Sequence, residues 1–343
     1  MPSGSDNDKK SCDMAEIIMG MGTSHTPLVA IRAPQWEEYI SRDYTRKDLN
    51  LSDGQYVSYD ELNKLRGGKY APIANLETFL KKDDACQRAL DKLGDEIAAA
   101  NPDLIVIVTD DETELFNRMN TPAVSIYYGE TLITHPRARP EKMPSYMEGM
   151  LKNYAMDEPH TFPAMPGFAR YLIEQFIEHD IDVGAAAQIQ DPYKSGFGHG
   201  IGFPIVRLFR GKKIPVIPLL LNTYYPPNAP RAARCHDIGR VLRKAIESSP
   251  EKLRVIVMAS GGLSHFTVDE ELDHRVLEGF KEGKSELLRT LPAKALNSGS
   301  SEIRNWICVA GAIEGRKNRW TEYQPLYRTP AGTGIGAAFG AWA

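Results

Sequence analysis

Leu104-Ile105-Val106-Ile107-Val108-Thr109-Asp110-Asp111-Glu112 decides the fold class. Its first five residues are uniformly apolar and mostly β-branched, the composition of a strand buried on both faces, as in the parallel sheets of α/β proteins. The run ends abruptly in carboxylates. On the N-terminal side, Leu76, Phe79, Leu80, Cys86, Leu90, Leu93 and Ile97 recur at helical spacing, which predicts a helix over 74–99 that Asn101-Pro102 stops. Further strands are predicted at Ala15–Gly20, Ala123–Tyr128, 182–187, Ile214–Leu221 and Leu253–Met258. Helices are predicted at 167–178, Ala232–Ser248, 269–289 and 301–313, followed by a Gly/Ala-rich tail from Gly332 to Ala343. Strands alternating with helices imply an α/β protein: one domain with a central, mostly parallel or mixed sheet flanked by helices.

Residues 34–72 interrupt this alternation. Trp36, Tyr39, Tyr44, Tyr56, Tyr59 and Tyr70 are scattered there among charges, and Ser58 with Glu61 forms a capping box for one short helix. Such a segment is a surface excursion or, placed just after the first strand, a lid or substrate wall. The first 13 residues are polar and read as a disordered lead-in before a single domain spanning 14–343.

The chain has 343 residues, 42% of them hydrophobic and 25% charged, as in an ordinary globular protein. A formal charge of −4 without a Lys/Arg stripe argues against a nucleic-acid partner. The longest apolar runs are far shorter than the roughly 20 residues of a membrane span. Cys12, Cys86, Cys235 and Cys308 are widely separated, which suits a reducing cytoplasm better than a disulfide framework.

Three of the eight histidines lie in Gly/Ser/Pro turns at the ends of apolar runs: His25 in Gly22-Thr23-Ser24-His25-Thr26-Pro27, His199 in Gly198-His199-Gly200, and His265 in Gly261-Gly262-Leu263-Ser264-His265. In open α/β sheets the carboxyl ends of the strands gather ligands and catalytic groups. The helix after His265 opens with Asp269-Glu270-Glu271, and Glu271 shares a face with His274. An acidic start is also what a helix N-terminus favours. From the residues alone the reading ends at a metal or acid–base site.

These motifs resemble, in order, those of the class III (LigB-type) extradiol ring-cleaving dioxygenases, the family of the protocatechuate 4,5-dioxygenase catalytic subunit. Thr23-Ser24-His25-Thr26-Pro27, Gly198-His199-Gly200 through Pro204, Val216-Ile217-Pro218 through Tyr225-Pro226-Pro227 to Gly239, Gly261 to His265, Glu271-Leu272-Asp273, Ser298-Gly299-Ser300 and Gly334-Ile335-Gly336-Ala337 carry the likeness. The resemblance implies a LigB-like fold and a non-haem metal, Fe(II) in the family, that opens a catechol-like ring with O2. It implies His25 and Glu271 as metal ligands, His265 as the proton-transfer group and His199 as a group bonding substrate or oxygen, with Tyr225 and Ser264 near the substrate. It leaves room for a homodimer or a small second subunit.

The departure is at the family's second histidine ligand, which ends an Asn-Asp-His sequence. Here Thr109-Asp110-Asp111 stands in its place. Either Asp111 (or Glu112) completes the site, favouring Mn(II) or Zn(II) beside Fe(II), or His274 or His160 substitutes, or the metal is lost. A redox-neutral lyase or hydrolase and a metal-free binding paralogue stay open as alternatives.

Overall fold

The computed structural model describes residues 14–343; the expected lead-in over 1–13 lies outside the described residues. In chain order the main sheet takes β1 (Glu16–Thr23), β2 (Leu104–Asp110), β3 (Val124–Tyr127), β4 (Gly184–Ala186), β5 (Val216–Leu221), β6 (Arg254–Ser260), β7 (His265–Thr267), β8 (Asn318–Tyr327) and β9 (Thr333–Trp342). Their spatial order is β7-β9-β1-β6-β2-β5-β3-β4, with β8 on the other edge of β9. The central β1-β6-β2-β5 strands are parallel. β3 runs antiparallel to β5, and β9 antiparallel to its neighbours. The sheet is mixed around a parallel centre.

β2 shows why both faces had to be apolar. Leu104, Val106 and Val108 enter one core and Ile105 and Ile107 the other, as the two-residue period of a strand requires. Helices cover both faces: α1 (Leu76–Ala100) and α3 (His199–Leu208) on one; α2 (Pro166–Glu178), α4 (Ala232–Glu247) and α6 (Ile303–Ala312) on the other. The α1 helix starts on an Asn75 cap that accepts from Thr78 N at 3.0 Å, and ends at Asn101, whose left-handed φ of 45° precedes Pro102.

Two expectations change. The helix expected over 269–289 breaks into α5 (Glu270–Glu278) and a short helix at Glu286–Arg289, because the chain turns through Gly283 at φ +70°. The Gly/Ala-rich tail, to which the pattern assigned no element, is a strand. It is β9, buried along its whole length between β8 and the β1/β7 pair. Small residues suit it because the space is already taken: a Cβ at Gly336 would strike the Asp273 carboxylate.

The 34–72 segment is clamped onto this sheet. Trp36 and Tyr39 are buried, and Trp36 Nε1 donates to Leu28 O at 3.0 Å. Asp43, fully buried, accepts from Thr333 Oγ1 at 2.7 Å and faces Arg328 Nε at 2.9 Å. Asn50 donates to Ser300 Oγ at 3.3 Å and accepts from Phe266 N at 3.0 Å. The capping-box helix forms as expected over Tyr59–Arg66, with Ser58 at its start. Removing one member of a buried ion pair strands the other charge. Arg328→Met is therefore expected to lower stability by about 3–5 kcal/mol, read as a lower urea midpoint, and the double variant with Asp43→Asn to recover part of that loss.

Candidate functional site

The parallel strands deliver their side chains to one edge. β1 ends at Thr23, paired with Ser260 at the end of β6, while Asp110 at the end of β2 pairs with Leu221 of β5. Just past Thr23, Ser24 N donates to Ala338 O and Ser24 Oγ accepts from Ala338 N, both at 3.0 Å, which fixes the turn that presents His25. The His25 ring is buried, and its Nδ1 lies 2.9 Å from Ser260 Oγ. Burial lowers its pKa despite the nearby Glu302 charge, so the ring is neutral at pH 7. Its Nε2 is buried without a hydrogen-bond partner.

That nitrogen lies 3.4 Å from Glu302 Oε2. Glu302 comes from the turn Ser298–Glu302 that leads into α6 and is only 3% exposed. Gly262 N donates to Oε2 at 2.7 Å, Tyr224 OH donates to Oε1 at 2.9 Å, and His265 Nε2 is 3.7 Å from Oε2. Burial alone would raise its pKa; the charge of a protonated His265 or His25, and the Gly262 amide, pull it the other way, below the usual carboxylate range. Asp110 moves the opposite way, pushed well above its ordinary value by burial and then by the charges of Glu302 and Glu112. Asn305 Nδ2 donates to Asp110 Oδ1 at 3.1 Å. Ligand atoms of His25, Asp110 and Glu302 all lie within 4.8 Å of one another.

Two further histidines flank this cluster. His265 Nδ1 is 2.8 Å from Leu263 O; a carbonyl only accepts, so the proton is on Nδ1 and the Nε2 lone pair is free in the neutral ring. Burial keeps that ring neutral by lowering its pKa. The Gly261-Gly262 pair is explained here: Gly261 has φ +152°, and a Cβ on Gly262 would run into the His265 ring. His199 opens α3 rather than ending a strand, with its ring edge-on to His25 at 4.5 Å. Its Nδ1 is 3.8 Å from Glu114 Oε1. Burial would lower its pKa, but Glu114, Glu112 and Asp110 outweigh burial and raise it to about 9, which makes it an imidazolium.

His25, Glu112, His199, Tyr224, His265 and Glu302 form the floor of a cavity of about 430 Å³, and Asp110 and Glu114 line a small pocket beside it. Tyr39 and Arg42 of the 34–72 segment and Arg137, Tyr146, Met147 and Met150 from the stretch between β3 and α2 wall the cavity.

Several expected residues lie elsewhere. Glu271 sits exposed in the first turn of α5 and does not line the cavity; the buried carboxylate beside His25 is Glu302. Asp111 closes a turn, accepting from Leu115 N at 2.8 Å and Phe116 N at 3.0 Å, and Asp110 is the side chain that reaches His25. Ser264 Oγ donates to Asp273 Oδ2 at 2.7 Å and accepts from Asp269 N at 2.9 Å, so it is a buried support for the turn. Tyr224, not Tyr225, lines the cavity. His274 is exposed and packs edge-on against Tyr323, and His160 pairs with Asp157 at 2.8 Å. A usable sign of Glu302 was present: Glu302, Arg304 and Asn305 are polar residues opening an otherwise apolar helix, two positions past the matched Ser298-Gly299-Ser300.

Residues 76–340 match the family described as the catalytic LigB subunit of aromatic ring-opening dioxygenase. Gallate dioxygenase of Pseudomonas putida is 30% identical over 132 residues, a match covering 36% of this chain and 38% of that protein. The family match spans well over half of the chain and takes in Asp110, His199, His265 and Glu302. The chain therefore belongs to the family of catalytic LigB subunits of aromatic ring-opening dioxygenases.

Proposed function

We propose that this chain is an extradiol-type dioxygenase that opens a catechol-like hydroxylated ring with O2, using a divalent metal held by His25, Asp110 and Glu302. One observation carries the reading: the partnerless, buried Nε2 of a neutral His25 stands beside the buried Glu302 and the half-buried Asp110 carboxylates. A buried imidazole lone pair beside a buried and a half-buried carboxylate that repel one another is the donor set a divalent cation satisfies. Nδ1 of His25, resting on Ser260, supplies the outer hydrogen bond that commonly orients a metal-bound histidine. When bound, Fe(II), the family's metal, or Mn(II), which suits a two-carboxylate set, would supply the electrons that activate O2 and acidify the ring hydroxyls.

The chain's own groups divide the remaining work. His265, with Nδ1–H tied to Leu263, presents Nε2 to the cavity and takes a proton from a ring hydroxyl. The His199 imidazolium places positive charge beside the cluster, where it steadies negative charge growing on substrate or oxygen. Tyr224 restrains Glu302 through its phenolic hydrogen bond. Tyr154, buried, donates to His25 O at 2.8 Å and holds the backbone of that turn.

Metal analysis tests the ligand set. Stoichiometric metal is expected in the native chain and in Glu271→Gln and Asp111→Asn, with loss in His25→Ala, Asp110→Asn and Glu302→Gln. Retention by Glu302→Gln with loss in Glu271→Gln would reverse the assignment. His265→Gln should keep its metal while kcat falls about 10²–10⁴-fold. Oxygen uptake with a panel of catechols after anaerobic Fe(II) or Mn(II) loading tests the reaction itself; no uptake with metal demonstrably bound would overturn it. The carboxylate-rich donor set also suits redox-neutral C–C cleavage with Mn(II) or Zn(II) as a Lewis acid, and turnover that persists without oxygen would select that reading.

A further inference from the structure

Asn305 is completely buried, and its amide touches two of the strand ends that carry the candidate ligands. It follows Glu302 by three residues, in the first turn of α6, so the two side chains leave the chain on one helix face. A Cβ on Gly261 would lie 3.1 Å from both Asn305 Nδ2 and Glu302 Oε2, which places these two atoms around one gap. Asn305 Nδ2 donates to Ser260 O and to Asp110 Oδ1, each at 3.1 Å. Ser260 ends β6, and its Oγ is the partner of His25 Nδ1 at 2.9 Å. One amide thus rests on the residue that orients His25 and bonds the Asp110 carboxylate directly.

The surroundings fix which way the amide points. Ser260 O is a carbonyl and only accepts, so the amide nitrogen faces it, and the second N–H is left for Asp110. Turned over, Oδ1 would face two acceptors. In the observed orientation Oδ1 is buried with no hydrogen-bond partner, a state that costs stability. A leucine would fill a similar volume without leaving an acceptor unpaired; what it lacks is the pair of donors. Thr109 Oγ1 also approaches Asp110 Oδ1, at 3.4 Å, but its single proton has a closer acceptor in Ser260 O at 3.1 Å.

We propose that Asn305 is a positioning residue, holding the Asp110 carboxylate so that it serves as a metal ligand where the family resemblance places a histidine. The inference rests on the reading of Asp110 as a ligand. A carboxylate has lone pairs for a donor and an ion at once, whereas a metal-bound imidazole commonly carries a proton on its outer nitrogen and needs an acceptor there. A donor at this place therefore suits aspartate. It also tempers the negative charge that Asp110 shares with Glu302, whose ligand atoms lie within 4.8 Å of its own.

Mn(II) binding to the full chain, measured under nitrogen by competition with a chelator, tests this without turnover. Asn305→Leu and Asn305→Ala should each weaken Mn(II) binding about 10- to 100-fold. Both should also change the zero-field splitting in the electron paramagnetic resonance spectrum of the bound ion, with far-UV circular dichroism as in the native chain. Because Asn305 acts through Asp110, adding Asn305→Leu to Asp110→Asn should cost less than about threefold more. An equal loss in the native and Asp110→Asn backgrounds, or weaker binding with an unchanged spectrum, is a general packing effect and overturns the inference. Native affinity in Asp110→Asn counts against Asp110 as a ligand. Loss in Asp110→Asn with native affinity in both Asn305 variants counts against the positioning role alone.

Discussion

A carboxylate with almost no solvent access has to be compensated by its surroundings, and Glu302 organises this molecule's chemistry through that requirement. Two imidazoles, a backbone amide and a tyrosine hydroxyl converge on its two oxygens. They come from the turn after β1, from the β6–β7 turn and the start of β7, and from the loop after β5, segments far apart in the chain. Only the parallel register of the central strands brings those ends to one place. The two-sided apolar core thus stabilises the fold and also fixes the distances at its polar edge.

The fold was legible because its strongest signals are local. A continuous β-branched strand and a 25-residue amphipathic helix announce themselves by period alone. β9 did not, because ten residues dominated by glycine and alanine carry no strand propensity; their strand state comes from burial between β8 and β1, a tertiary effect. The site followed the same division. His25, His199 and His265 stood out as turn histidines. Glu302 and Asp110 did not, since choosing among Asp110, Asp111 and Glu112 depends on which side chain faces inward, and one residue of register reverses that direction in a strand. Glu271 drew attention because an acidic helix start mimics a ligand, whereas its neighbour Asp269 is simply the helix cap.

Electrostatics separates the histidines more clearly than position does. Burial by itself would leave all three neutral. His25 and His265 stay so, whereas the glutamates around His199 convert it to a cation. Imidazoles at the edge of one pocket thereby differ in charge state, and the acidic stretch after β2 is what distinguishes them.

Asn50 touches both halves of the site: it bonds to Ser300, in the turn that carries Glu302, and to Phe266, next to His265. The 34–72 segment is therefore part of the scaffold that spaces the acid from the base. Grafting that segment between relatives would not exchange a specificity loop on a constant engine; it would retune the separation of the reacting groups at the same time. A change in the wall of the cavity is thereby mechanically coupled to the spacing of Glu302 and His265 on its floor.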